Sequence, residues 1–201
     1  MSLPTGNLDA IRDRVHYCLD ALPGDATGPE STGEKTPATL HEAFGQLLDV
    51  MQRMEADQQA RAGSDTAGGT GAEDITELGE YAMQLQECLA SQLSRTGDDN
   101  RRAAPAALSV EFALWIAGHG GRIDTLEPVV DGLAMIANST MSPEELESLS
   151  SIMSRITDAV SPLIREDLEK INPGRPWRVL LLNRGIVATR SHNTRAMEEA
   201  L

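Results

Sequence analysis

The sequence predicts an all-α protein, in which N-terminal amphipathic helices on long loops precede an array of helical hairpins. Three observations carry that expectation. Aromatic residues are 3% of the chain, so the core must come from Leu, Ile, Val, Met and Ala, a mixture that suits helices better than strands. Apolar residues recur at intervals of three and four along most of the chain. Finally, the pattern Asp, any residue, aliphatic, any residue, Pro, two aliphatics stands at Asp124 (DTLEPVV) and again at Asp158 (DAVSPLI), 34 residues on.

Taken in order, Asn7 is placed to cap a first helix with Leu8, Ile11, Val15, Leu19 and Leu22 on one face, closed by Pro23-Gly24. Residues 23–36, rich in Gly, Pro, Ser and Thr, read as a flexible linker. Thr36-Pro37 restarts a helix with Pro at its first position, where a missing N–H has no intrahelical partner to lose. Leu40, Phe44, Leu47, Leu48, Met51 and Met54 form its apolar stripe. A second flexible stretch, 60–73, leads to a third helix carrying Ile75, Leu78, Ala82, Leu85, Leu89 and Leu93. These helices form the first region, residues 1–100, and the hairpins form the second, 101–201.

From Pro105 the connections tighten. A helix starting there is stopped by Gly118-His119-Gly120-Gly121. Asp124 is placed to cap the next helix, with Glu127 three residues on and Pro128 in the first turn, and that helix ends near Asn138. Ser142-Pro143-Glu144-Glu145 is a complete start signal, and Asp158 with Pro162 repeats the arrangement of Asp124 with Pro128. A shift of 34 also takes Val129 to Leu163, Val130 to Ile164, Ala134 to Leu168, Ala137 to Ile171, Asn138 to Asn172, Phe112 to Leu146 to Leu180, and Ile152 to Ile186. Apolar positions fall on apolar positions. Each hairpin would leave an apolar face for its neighbour to cover. The stretch WRVLLLNRGIVATRS is open to a β-hairpin around Asn183-Arg184-Gly185, but the register and Pro176 favour a helix.

A period of 34 with two helices per unit resembles the tetratricopeptide repeat over roughly residues 105–201, with the Pro of Ile171-Asn172-Pro173 echoing that family's closing proline. The resemblance implies an α-solenoid whose curved surface binds peptides or helices of other proteins.

Charge separates the two ends of the chain. The formal net charge is -14, yet residues 1–150 hold 25 acids against 9 Lys or Arg and residues 151–201 hold 6 against 8. An acidic body repels phosphate backbones, which argues against nucleic acid as a partner. No apolar run reaches membrane-spanning length and the first residues lack a signal-peptide pattern, so the expected location is cytoplasmic, with Cys18 and Cys88 as reduced thiols.

No motif for catalysis, cofactor or metal emerges. His16, His41, His119 and His192 fall on different predicted elements, and the glycines of Gly118–Arg122 follow a helix, where a phosphate loop would follow a strand. Adjacent acids such as Glu144-Glu145 diverge on a helix. What remains is the stretch from Lys170 to Met197, which has no acid and contains Arg178, Arg184 and Arg190. The function expected is therefore non-enzymatic: an adaptor or small chaperone binding a peptide or helix of another protein, with no cofactor, nucleic acid or membrane; those three arginines, six residues apart and so spread around a helix, either contact an acidic partner or pair with the protein's own acidic body. The alternative is a helical enzyme or small-ligand-binding protein whose groups converge only in three dimensions.

Overall fold

The computed structural model describes residues 3–22, 36–61, 71–95, 99–166 and 174–200. They form helices α1 (Leu8–Asp20), α2 (Pro37–Arg61), α3 (Ala72–Ser94), α4 (Asp99–Gly118), α5 (Glu127–Ser139), α6 (Pro143–Ala159), α7 (Pro162–Arg165), α8 (Pro176–Arg190) and α9 (Thr194–Ala200). Among the described residues there is no strand beyond a single parallel bridge between Ile123 and Val160. The all-α expectation is met, and residues 176–190 are helix, not hairpin.

The start signals that rest on local chemistry act as expected. Asn7 Oδ1 accepts the Ala10 amide at 2.7 Å, and Ser142 Oγ accepts that of Glu145 at 3.4 Å ahead of Pro143. On the face of α1, Leu8, Ile11, Val15 and Leu19 are buried.

The centre is α4, on which α1, α3, α5 and α6 all pack. Every residue from 107 to 116 is buried, so this stretch of α4 has no solvent face. Its polar members must then be satisfied inside. Ser109 Oγ donates toward the carbonyls of Ala106 and Pro128, each at 2.7 Å. Glu111 accepts the amides of Thr5 (2.9 Å) and Gly6 (2.7 Å) and the Nε of Arg14 (2.9 Å). A buried carboxylate is tolerated when it is paired and its lone pairs are filled, and this one ties both the N-terminal segment and α1 to the central helix. Gly132 lets α5 lie close on α4, because a Cβ there would stand 2.1 Å from the Ala106 carbonyl oxygen. One apolar cluster runs from Leu8 to Val187, across the division at residue 100.

Three boundaries differ from expectation. Pro105 lies inside α4, which begins six residues earlier at Asp99. A proline removes one intrahelical bond, and a helix gripped on four sides absorbs that loss. Asp124 does not cap α5. Glu80 of α3 accepts the amides of Asp124 (3.1 Å) and Thr125 (2.9 Å), keeping this segment out of the helix, which starts at Glu127 with Leu126 at the cap position. Asp158 is in the last turn of α6. The second heptapeptide instead meets the residue just before the first: Ile123 N donates to Ala159 O at 2.9 Å and Ser161 N to Ile123 O at 3.0 Å. Both prolines still open helices, Pro128 in the first turn of α5 and Pro162 at the start of α7.

Helix also takes both ends of the second predicted linker, since α2 runs to Arg61 and α3 starts at Ala72. Residues 62–70 of that linker, most of 23–36, Lys170, and the register positions Leu168, Ile171 and Asn172 with Pro173 lie outside the described residues. Among the register positions that are described, Phe112, Leu146 and Leu180 are all buried. Val129 and Ile152 are buried too, whereas their counterparts Leu163 and Ile186 are exposed. The second copy of the pattern leaves open what the first covers.

Candidate functional site

The surface most unlike its surroundings is on α8. Pro176 opens the helix after Arg175, and Leu180, Val187 and Ala188 are buried where α8 packs on α5 and α6. On the other side Leu182 is 64% exposed and Ile186 47%. A helix with one polar face would solvate that side; α8 is apolar on both. Residues four apart share a helix ridge, and the ridge here reads Arg178, Leu182, Ile186, Arg190. It drifts through an arc of about 120° over its length.

The three arginines expected to contact a partner are separated by six residues each, which sets them about 120° apart around the axis. The structure therefore does not gather them. Arg178 is half-buried at one end of the ridge. Arg190 closes the other end and reaches into the fold: its Nη1 donates to Ala137 O at 2.8 Å and its Nη2 to Thr140 O at 2.7 Å. Arg184 points elsewhere and donates through Nη2 to the Glu199 carbonyl in α9.

These contacts share a cause. The last turn of a helix leaves carbonyls without partners and carries a partial negative charge. Neither α5 nor α6 has a basic residue in its last turn. Arg190 supplies it to α5 from α8, and Arg165 supplies it to α6 by donating to the carbonyls of Thr157 (2.7 Å) and Asp158. Much of the basic C-terminal charge thus serves as helix capping between elements. It stays positive, since carbonyls do not neutralise it. Met141, 82% exposed, follows Thr140 and so comes to the Arg190 end of the ridge.

Elsewhere polar side chains pair with one another in two places. A polar cleft of about 220 Å³ between α6 and α9 is lined by Glu147, Ser150, Ser154, Asn193, Arg195 and Glu199. Asn193 Nδ2 donates to Glu147 at 2.6 Å and Arg195 pairs with Glu199 at 2.8 Å across its rim. Glu55 of α2 accepts the Trp115 indole N–H at 2.8 Å and lies 3.6 Å from His119 Nε2, while His119 Nδ1 meets the Trp115 carbonyl at 2.7 Å. That trio fastens α2 to α4. Gly118–Gly121 forms the turn after α4, with Gly120 at φ +79°, a conformation that favours glycine. Among the described residues no three His, Cys, Asp or Glu side chains form a metal site, and no helix is long and apolar enough to cross a membrane.

Two of these features had sequence signals that periodicity hides. Glu111 is the one charge in the apolar run Pro105–Ala117, and the alternation of Arg with Leu and Ile at four-residue steps was there to be read in α8. Comparison with family models, curated proteins and solved structures finds no match to this chain.

Proposed function

We propose that this protein is a non-enzymatic interaction module, an adaptor or small chaperone that holds a helix or peptide of another protein against its C-terminal helices in the cytoplasm. The observation that carries this reading is the exposed pair Leu182 and Ile186 on a helix already apolar on its buried side. Clustered apolar side chains on a polar surface mark interaction sites. The helix packing supports the finer proposal of tetratricopeptide-like stacking: α4, α6 and α8, which the 34-residue register makes equivalent, pack on one another in succession.

Immobilised full-length chain, exposed to lysate of the producing organism and cross-linked before mass spectrometry, tests the reading. It predicts a discrete protein partner cross-linked to the segment 174–200. Retention of no protein above a blank matrix would contradict it.

The α6–α9 cleft favours a second reading, a small-ligand-binding protein. Its mouth is open and its charged groups are already paired. A thermal-shift screen with small polar metabolites separates the two: a ligand that raises the melting midpoint and loses its effect in Ser150→Val would favour the cleft.

A further inference from the structure

We infer that the cleft between α6 and α9 binds a small ammonium compound that carries hydroxyl groups. This deepens the small-ligand reading of the cleft and rests on it, and it is independent of a partner on α8. One unpaired hydroxyl and one carboxylate without a counter-charge define the ligand.

The hydroxyl belongs to Ser150. Glu147, Ser150, Ser151 and Ser154 stand at i, i+3, i+4 and i+7 on α6, so they form the single stripe that lines the cleft. Of the four serines on this helix, Ser148, Ser151 and Ser154 each donate to the carbonyl four residues earlier. Ser150 is 4% exposed, yet its hydroxyl has no hydrogen-bond partner among the described residues. A covered hydroxyl left unpaired costs stability, and a ligand in the cleft can supply both the donor and the acceptor it lacks. Ser151 and Ser154 have spent their protons on carbonyls and offer lone pairs alone.

The carboxylate belongs to Glu147. Asn193 Oδ1 accepts the Ala196 amide at 3.2 Å, and its Nδ2 donates to Glu147 Oε1 at 2.6 Å. That amide positions the carboxylate but carries no charge, and no cation pairs with Glu147 among the described residues. Arg195 pairs with Glu199 instead. Two carboxylates against one guanidinium leave the cleft with one negative charge in excess and with more acceptors than donors. The ligand that matches brings a positive charge and several donors: its ammonium meets Glu147 in a charge-assisted bond and a hydroxyl meets Ser150. At about 220 Å³ the cleft falls below the about 300–1,000 Å³ of a drug-sized site, so the occupant is a small molecule and not a peptide.

The probes are glucosamine, glucose and gluconate, similar in size and respectively cationic, neutral and anionic at about pH 6. Each is titrated into the isotope-labelled full-length chain and followed by amide NMR at low and physiological salt. The expected result is saturable binding of glucosamine that moves the amides of residues 147–154 and 193–199 and weakens with salt. Glu147→Gln keeps an acceptor for Asn193 but removes the charge, and should weaken binding about tenfold. Ser150→Ala removes a hydroxyl that bonds nothing in the protein, so it should melt no lower than the parent and weaken binding about fivefold. If Glu147→Gln changes the spectrum of the free chain beyond its neighbours, Ser150→Ala alone decides. The inference is overturned if glucosamine does not bind, if it moves other residues, or if a folded variant binds it unchanged. Glucose or gluconate binding as tightly, with loss in Ser150→Ala, overturns the ammonium class and leaves the small-ligand reading standing. No binding by any of the three, together with a blank metabolite screen, ends that reading as well.

Discussion

Arg190 in the last turn of α8 donates to the carbonyl of Ala137 in α5, 53 residues earlier, at 2.8 Å. The same guanidinium reaches Thr140 O, so one side chain satisfies the exposed end of α5 and links it to the helix that bears the apolar ridge. Replacing Arg190 with Ala should cost about 1.5–3 kcal/mol, the range for hydrogen bonds to a charged group, measured by urea denaturation. Arg190→Lys should recover only part of the loss, since an ammonium cannot span two carbonyls as a planar fork does. An unchanged midpoint for Arg190→Ala would show that the contact is incidental.

Glu111 offers a sharper case. Its side chain is 1% exposed and takes three donors from two other parts of the chain. Glu111→Ala strands the Thr5 and Gly6 amides and removes the Arg14 contact, and should destabilise by about 3–5 kcal/mol. Glu111→Gln keeps an acceptor and should cost clearly less. Equal losses for the two, in parallel denaturant titrations, would mean that the carboxylate charge, and neither side-chain volume nor one retained acceptor, sets the effect.

Two glycines predict opposite signs. A Cβ on Gly45, in the middle of α2, meets nothing within 4 Å, so Gly45→Ala should stabilise by about 0.5–1 kcal/mol through helix propensity alone. At Gly132 the Cβ would approach Ala106 O to 2.1 Å and Val110 to 2.8 Å, and the α4–α5 contact must open. Gly132→Ala should therefore destabilise by about 1–3 kcal/mol. Calorimetric midpoints moving in the same direction would contradict this packing.

How much of this was legible depended on where each interaction partner lies. Asn7 and Ser142 start their helices through amides three residues away, so local pattern found them. The start of α5 is set by Glu80, 44 and 45 residues from the amides it holds, and Asp124 looked like the cap because that carboxylate is invisible at short range. The start of α4 differs because proline usually opens a helix, and Pro105 instead lies inside this one. The ambiguity of 177–191 has a related origin: apolar residues on both faces of α8 blur the helical period. Arg190 was picked out by its charge, but its acceptors are backbone carbonyls, which carry no sequence signature.

Cys18 tests burial of the α1 face. Enclosure pushes its thiol up to about 12, with Arg14 pulling weakly the other way. In a Cys88→Ser background, iodoacetamide at pH 8 should leave Cys18 unmodified in the folded chain and alkylate it after denaturation. The sign for stability follows from the raised value. Below its ordinary value of 9.0 both states keep the proton and the contribution is complete; as pH climbs from there toward about 12 the unfolded chain deprotonates first, and stability falls. Rapid alkylation under native conditions would show that α1 does not stay closed.

The central claim is that the outer ridge of α8 is where a partner sits. Methyl-resolved NMR of chain labelled at Leu and Ile, titrated with the captured partner, reads it most directly. The account predicts that Leu182 and Ile186 shift first and most, while the buried methyls of Leu40 and Leu85 near α2 and α3 stay in place. Shifts concentrated at the α6–α9 cleft or on α2, with Leu182 and Ile186 unmoved at saturation, would contradict it.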